Sequence, residues 1–404
     1  MSHTERLYYS DSHLTEFDAN VIGSEEIAHG RTGLVLDRTA FYPTGGGQPF
    51  DTGALGDARV VDCIDRETQG VLHIVEGSIP QVGERVRGRV DWDRRLEHIQ
   101  QHTGQHILSQ AFVQLFDAPT RSFRMMERVC EIDVELADPS DEKIERAVDL
   151  ANRIVWEDRA VRVVTVTPEE AAQMPLRKDS EREGDLRVVE IEGFDLSPCG
   201  GTHAKRAGEV GVICVRQWER AKGLTRIGFT AGVRALADYR LANRTARTVA
   251  ALFSVARDDG PANAARLVEE NKQLARRVRA LEEITARVEA EDILREVAPR
   301  ADGSKIVARV FEDRDAESLK RLAASIATHA GAVALLGSRE GQQARLVFAR
   351  STDAPGDMSA LVREACALLE GRGGGKMEMA QGGGRRVEKL DEAIEAASRA
   401  LTTT

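Results

Sequence analysis

Arginine alternates with valine or glycine through Arg85-Val86-Arg87-Gly88-Arg89-Val90, so one face of this stretch is apolar and the other charged. A period of two is the pattern of a half-buried strand. Short apolar runs separated by glycine turns, such as Gly33-Leu34-Val35-Leu36 and Val71-Leu72-His73-Ile74-Val75, precede it. Residues 1–90 therefore predict a small β-barrel. At Asp91 the period changes to that of a helix, carried by Leu96, Ile99, Ile107, Leu108 and Phe112 as far as Phe116. A second amphipathic helix is predicted over 139–157, with Asp138 as N-cap, Pro139 at the first helical position, and Ile144, Val148, Ala151 and Val155 as its apolar stripe. Strands expected at 131–136, 161–166, 186–191, 210–215 and 226–230 interleave with these helices, giving an α+β domain over 91–235.

Further along, 236–298 reads as long helix. Leu267, Leu274, Leu281 and Val288 recur every seven residues, with Asn271, Val278 and Thr285 in the companion positions. That seam predicts a coiled-coil-like connector, closing either on a second chain or within a helical hairpin of the same chain. Asp302-Gly303-Ser304 breaks the pattern. Residues 299–404 then read as an α/β domain: strands at 305–311, 333–336 and 345–348, helices at 317–329 and 358–370, a glycine-rich loop over 371–386, and a final helix. The loop is not a Walker A sequence, because Glu370 stands at its first glycine position and Met377 where Ser or Thr would hold magnesium. Its net charge of +3 favours an anionic ligand such as RNA phosphate, with Lys376 central, although a plain surface loop would read the same way. The fold class is thus α+β overall, in four parts: 1–90, 91–235, 236–298 and 299–404.

Composition narrows the function classes. At 404 residues, 42% hydrophobic and 30% charged, the chain is a soluble globular type with room for several cores. No apolar run approaches the roughly 18 residues of a membrane span, and the start lacks the features of a secretory signal, so the expected location is cytoplasmic. Five scattered cysteines argue for reduced thiols rather than disulfides. A net charge of -10 gives no global attraction to nucleic acid, so RNA binding would need local basic patches. The segment 201–234 offers one, with Lys205, Arg206, Arg216, Arg220, Lys222, Arg226 and Arg234 against Glu209 and Glu219. It reads as a track for a phosphate backbone or as a solvated strand edge.

The chemistry concentrates in two stretches. His98, His102 and His106 fall four apart and share one helix face. Far downstream, Ser197-Pro198-Cys199-Gly200-Gly201-Thr202-His203 places a thiol and an imidazole four apart in a compact turn. Two histidines with Cys199 and His203 make a tetrahedral N/S set suited to zinc, and His98 stays outside it. Four protein ligands suit a structural site, whereas catalytic zinc usually keeps one position open. Within the barrel, Thr44-Gly45-Gly46-Gly47-Gln48 permits positive φ and close backbone approach to a ligand, or forms an ordinary hairpin loop.

Four motifs occur here in the order seen in alanyl-tRNA editing proteins: residues 42–53 around Thr44-Gly45-Gly46-Gly47-Gln48, His102-Thr103-Gly104-Gln105-His106, Cys199-Gly200-Gly201-Thr202-His203, and residues 219–227. The chain resembles the long form of this AlaX family, a relative of the editing domain of alanyl-tRNA synthetase, and its glycine-rich tail resembles a DHH-associated domain. The resemblance covers nearly the whole chain. It implies a zinc-dependent aminoacyl-tRNA deacylase that hydrolyses mischarged tRNA(Ala), chiefly Ser-tRNA(Ala) and also Gly-tRNA(Ala), without charging tRNA itself. It implies one zinc ion on His102, His106, Cys199 and His203, and a pocket in which Gln48 and Thr44 act on the substrate, lined by Gly45, Gly46 and Gly47. Lys222, Arg226 and Lys376 are the expected RNA contacts, and a homodimer through the connector or the C-terminal domain is the expected assembly. Two other classes stay open from the residues alone: an RNA-binding protein with structural zinc, and a zinc hydrolase of small esters.

Overall fold

The computed structural model describes residues 4–27, 31–178 and 184–401. Two compact units divide the chain, Met1–Leu252 and Phe253–Thr404.

The first unit opens with β1 (Glu5–Arg6), β2 (Glu16–Ile27), β3 (Arg31–Leu36), β4 (Arg38–Thr39), β5 (Gly53–Leu55), β6 (Ala58–Asp65), β7 (Val71–Gly77) and β8 (Arg85–Val90). Six of these close a barrel in the order β2-β3-β7-β6-β5-β8, while β1 and β4 form a short parallel pair. The alternation in β8 is realised strictly: Val86 and Val90 enter the barrel core. Arg85 and Arg87 turn outward onto Asp18 and Glu16 of β2, at 3.1 and 2.5 Å. Gly88 breaks the series because Phe17 lies across it; a Cβ there would sit 2.4 Å from the ring.

Next come α1 (Trp92–Phe116), β9 (Thr120–Met125), β10 (Cys130–Val134), α2 (Asp141–Trp156), β11 (Val161–Val166), α3 (Pro168–Ala171), β12 (Leu186–Ile191), β13 (Asp195–Pro198), β14 (Ile213–Ala221), β15 (Leu224–Ala231) and α4 (Gly232–Leu252). A four-stranded sheet, β14-β15-β10-β9, and a three-stranded one, β11-β12-β13, share a core with α1 and α2. Helix α1 is buried on its polar as well as its apolar side, since His98, Gln100, Gln101, His102, Thr103, Gln105 and His106 are all buried beside Ile99 and Ile107. Over 98–109 the helix has no solvated face, which positions its side chains rigidly. The N-cap of α2 is Ser140, whose hydroxyl accepts from Lys143 N, and not Asp138, which adopts a left-handed φ of 47° two residues earlier. Strand β14 starts at Ile213 because Ala207–Val210 forms a 3-10 turn instead.

The stretch read as one helix over 236–298 is two helices. The helix is interrupted at 253–259, where Ser254 takes a φ of 56°, and α5 (Gly260–Glu296) begins after it with proline in its first turn. The second unit continues with β16 (Lys305–Glu312), α6 (Ala316–Ala327), β17 (Ala332–Glu340), β18 (Gln343–Arg350), α7 (Met358–Leu368), β19 (Arg372–Gly375), β20 (Met379–Gly384) and α8 (Leu390–Ala400). Its sheet runs β16-β17-β18-β20-β19. Helix α6 and the end of α5 cover one face, and α7 with α8 cover the other.

The glycine-rich segment is not a loop. It is the antiparallel pair β19–β20, in which Gly373 faces Gly382. The glycines let α7 approach: a Cβ on Gly373 or Gly382 would fall 2.8 or 2.5 Å from Cys366 Sγ. Close helix-on-sheet packing therefore accounts for those two residues without any ligand. Among the described residues no helix is long and apolar enough to cross a membrane.

Candidate metal centre

Helix α1 carries His102 and His106 one turn apart, and the turn leaving β13 carries Cys199 and His203. Pairing of β13 with β12 through Ile191–Asp195 and Val188–Pro198 fixes where that turn begins. One ligand atom from each of the four residues lies within 4.8 Å of all the others. Cys199 Sγ is 3.3 Å from Nε2 of both His102 and His203. Gly201 must be glycine, because a Cβ at that position would stand 2.2 Å from His102 Cε1.

Every ring in the cluster is held from behind. His102 Nδ1 donates to Gln48 Oε1 at 2.8 Å, His106 Nδ1 to Asp195 Oδ2 at 3.0 Å, and His203 Nδ1 to Thr103 Oγ1 at 3.3 Å. The Nδ1–H tautomer leaves each Nε2 lone pair turned toward the common centre, as metal-binding histidines require. The backings are themselves anchored. Gln48 Oε1 also accepts from Thr202 N, and its amide nitrogen donates to Thr202 Oγ1 at 2.9 Å. Thr103 Oγ1 accepts from Ala204 N, and Asp195 accepts from Arg177 Nε at 2.7 Å and from Ser197.

Electrostatics match a cation-binding set. Burial opposes the Cys199 thiolate, but the surrounding imidazoles, His102 foremost, outweigh it and hold the thiol well below its ordinary range. Burial, with the neighbouring rings, pushes His203 down to about 3 and keeps it a neutral donor. Asp195 resists ionisation through burial, yet His106 and Arg177 bring it to about 2. A thiolate among three imidazoles, each turning an Nε2 lone pair toward the centre, can hold a metal ion. His98 lies outside the set. It is buried, its Nδ1 makes no hydrogen bond and lies 4.0 Å from Asp51 Oδ1, and burial together with Arg94, Arg234 and Arg95 pushes it to about 3.

The motif in the barrel reaches the centre through Gln48 alone. Gly45 and Gln48 exchange backbone hydrogen bonds of 3.0 and 2.9 Å around Gly46 and Gly47, whose φ values are 55° and 82°. Two successive positive φ angles make this a tight hairpin turn rather than an open cradle. Gly47 O accepts from Met125 N, which docks the turn on β9. Thr44 is exposed at the mouth of the turn, as is Gly46. Below it, Arg95 and Asp51, both fully buried, form an ion pair whose guanidinium also donates to Ser12 O and Ala40 O. Asp51 accepts from Tyr42 N as well, so this pair ties the turn to α1.

The basic segment does not form a free track. Lys205 pairs with Asp11, Arg206 with Asp158, Arg216 with Asp238, Arg220 with Asp138, Arg226 with Asp133 and Arg234 with Glu97. All six acids lie outside the segment, which is why a count along the sequence overstated its charge. Lys222, on the exposed β14–β15 turn, has no acidic partner among the described residues. Lys376 occupies the exposed β19–β20 turn of the second unit. Sequence reasoning missed Asp195, Arg177, Thr103 and Thr202. Thr103 and Thr202 lie inside the two ligand motifs and were visible there; nothing in the pattern marked Asp195 or Arg177.

The barrel and the thiol turn each fall in a stretch that matches a tRNA synthetase family model. The family model described as tRNA synthetases class II (A) matches residues 2–94, that for the threonyl and alanyl tRNA synthetase second additional domain matches 186–228, and that for the DHHA1 domain matches 302–403. Alanyl-tRNA editing protein AlaX-L of Pyrococcus horikoshii is 33% identical over 96% of this chain and 96% of its own length. The chain belongs to that family. Alanine–tRNA ligases of Methanobrevibacter smithii and Pyrobaculum calidifontis are 29% and 34% identical over 97% of this chain. This chain spans 45% and 44% of those two ligases, less than half of either.

Proposed function

We propose that this protein hydrolyses the ester of mischarged tRNA(Ala), removing serine and also glycine without charging the tRNA, and that it does so in the cytoplasm. The observation that carries the reading is the four-residue cluster with all three rings held by Nδ1, in a chain that matches an alanyl-tRNA editing protein end to end. The donor set of three imidazoles and one thiolate fits one zinc ion better than magnesium or calcium. Bound zinc would supply Lewis acidity, either lowering the pKa of a water toward about 7 or fixing the tRNA 3′ end.

The chain's own residues supply orientation and selection. Gln48 orients His102, and Gly45, Gly46 and Gly47 present a smooth, close-fitting turn beside it. Thr44, exposed at its mouth, is our choice for reading the serine hydroxyl, with the second N–H of Gln48 assisting. A pocket sized for alanine cannot strongly exclude one extra hydroxyl, so a second site that binds this hydroxyl is the needed correction. Lys222, Arg226 and Lys376 contact RNA phosphates in this reading. Arg226 must exchange Asp133 for phosphate, so the two lysines carry the larger share.

A complete set of four protein ligands favours a second reading, in which the metal only pins α1 to the Cys199–His203 turn of an RNA-binding protein. Hydrolysis of Ser-tRNA(Ala) by the zinc-loaded protein, measured beside Ala-tRNA(Ala), decides between them.

The apolar seam of α5 supports a homodimer. Leu267, Leu274, Leu281 and Val288 are 53%, 59%, 63% and 51% exposed, too much aliphatic surface at heptad spacing for a helix that ends in water.

A further inference from the structure

Among the described residues beside the metal centre, Arg187 is a cation whose hydrogen bonds are incomplete. It sits on β12, where its backbone carbonyl accepts from Cys199 N at 3.0 Å. Its side chain returns to the same residue: NH1 donates to Cys199 O at 2.7 Å, and Nε donates to Tyr9 O at 3.3 Å. The guanidinium carbon lies 5.3 Å from the centroid of the Tyr9 ring. Among the described residues its partners are these two backbone carbonyls and no carboxylate, and NH2 is buried with no partner at all. By contrast, the buried guanidiniums of Arg95, Arg177 and Arg234 each pair with a carboxylate.

A buried guanidinium N–H without an acceptor is costly, and in a folded protein such a group usually awaits one. The aromatic wall around it strengthens the case. Tyr8 meets Tyr9 and Tyr42 edge to face at 4.9 and 5.2 Å, and Tyr42 hydroxyl donates to Gly45 O of the hairpin turn. Arg187, the tyrosines, the turn and Cys199 thus form one continuous wall in which a charge is poorly screened. Cys199 gives Sγ to the metal cluster and its carbonyl to Arg187, so the guanidinium stands within one residue's breadth of the cluster.

We propose that Arg187 binds the phosphodiester of the 3′-terminal nucleotide of the RNA while the aminoacyl ester lies at the cluster. This rests on the deacylase reading for the substrate, and the chemistry selects the group. The aminoacyl end of such an RNA carries an ammonium and a neutral ester, and the nearest anion is that last phosphate. A guanidinium with a free NH2 beside a bound NH1 is shaped to take it.

The test uses the full chain and an uncharged hairpin RNA ending in the tRNA 3′ terminus, made with a natural last linkage or with a neutral methylphosphonate there. Binding is measured at fixed salt for the wild type and Arg187→Gln, with zinc content and thermal midpoint recorded for each. The wild type is expected to bind the neutral linkage roughly 10-fold more weakly than the natural one, while Arg187→Gln binds the two alike with its metal retained. Equal affinity of the wild type for both RNAs would overturn the proposal, and this arm needs no variant to fold. A variant that keeps the full 10-fold preference would overturn it too. Because the RNA is uncharged, loss of the hydrolysis reading leaves this measurement standing, and the two failures are distinguishable.

Discussion

Gln48 Oε1 lies 2.8 Å from His102 Nδ1, although one residue ends a hairpin turn of the barrel and the other is mid-helix in α1. This bond is where the two halves of the first unit meet at the metal cluster. Losing it frees the His102 ring to rotate and to exchange tautomers. Gln48→Ala is expected to weaken zinc binding by roughly 10- to 100-fold, read by competition with a chromophoric chelator. Unchanged zinc affinity would show that the turn plays no part in holding the ligand.

The ion pair beneath that turn predicts a stability effect. Arg95 and Asp51 are completely buried, so Arg95→Met leaves a carboxylate with no charged partner. The expected loss is about 3–5 kcal/mol. Urea unfolding followed by tryptophan fluorescence reports it selectively, since all three tryptophans, Trp92, Trp156 and Trp218, belong to the first unit. A much smaller loss would mean that the pair is dispensable to the barrel–helix junction.

Acid should weaken the barrel through His73. Burial pushes this histidine from 6.5 down to about 4, against the smaller effect of its bond to Leu34 O. The folded state therefore resists the proton that the unfolded chain accepts. Its contribution is fully present above about pH 6.5 and is lost as pH falls toward 4, amounting to roughly 2 kcal/mol by pH 5. His73→Leu should remove that part of the difference between pH 7.5 and 5 in the same fluorescence assay. Identical pH dependence in the variant would contradict the assignment.

Assembly follows from the α5 seam. The wild type is expected to sediment as a dimer at micromolar concentration, and Leu274→Lys with Leu281→Lys as a monomer. A wild type that sediments as a monomer would remove the seam from the account.

How much of this was legible in the chain differed by kind of feature. Strands 161–166 and 186–191 were read to the residue, because each is a short run rich in β-branched residues and the two pair along their full length. The four cluster residues were equally legible, since helical spacing and a compact turn are local properties. Long-range polar contacts were not. The acids that neutralise 201–234 come from Asp11, Glu97, Asp133, Asp138, Asp158 and Asp238, and only the fold brings them there. Likewise, the glycines of β19 and β20 read as a ligand loop because the packing demand of Cys366 and Val362 is invisible without α7 in place.

The most direct test of the central claim is single-turnover deacylation of Ser-tRNA(Ala) and Ala-tRNA(Ala) by the zinc-loaded wild type and by Cys199→Ala. The wild type should release serine at least 100-fold faster than alanine, a ratio within reach of a site that hydrogen-bonds one hydroxyl, and the variant should lose nearly all activity. Intact Ser-tRNA(Ala) after prolonged incubation with metal-loaded protein would contradict the account.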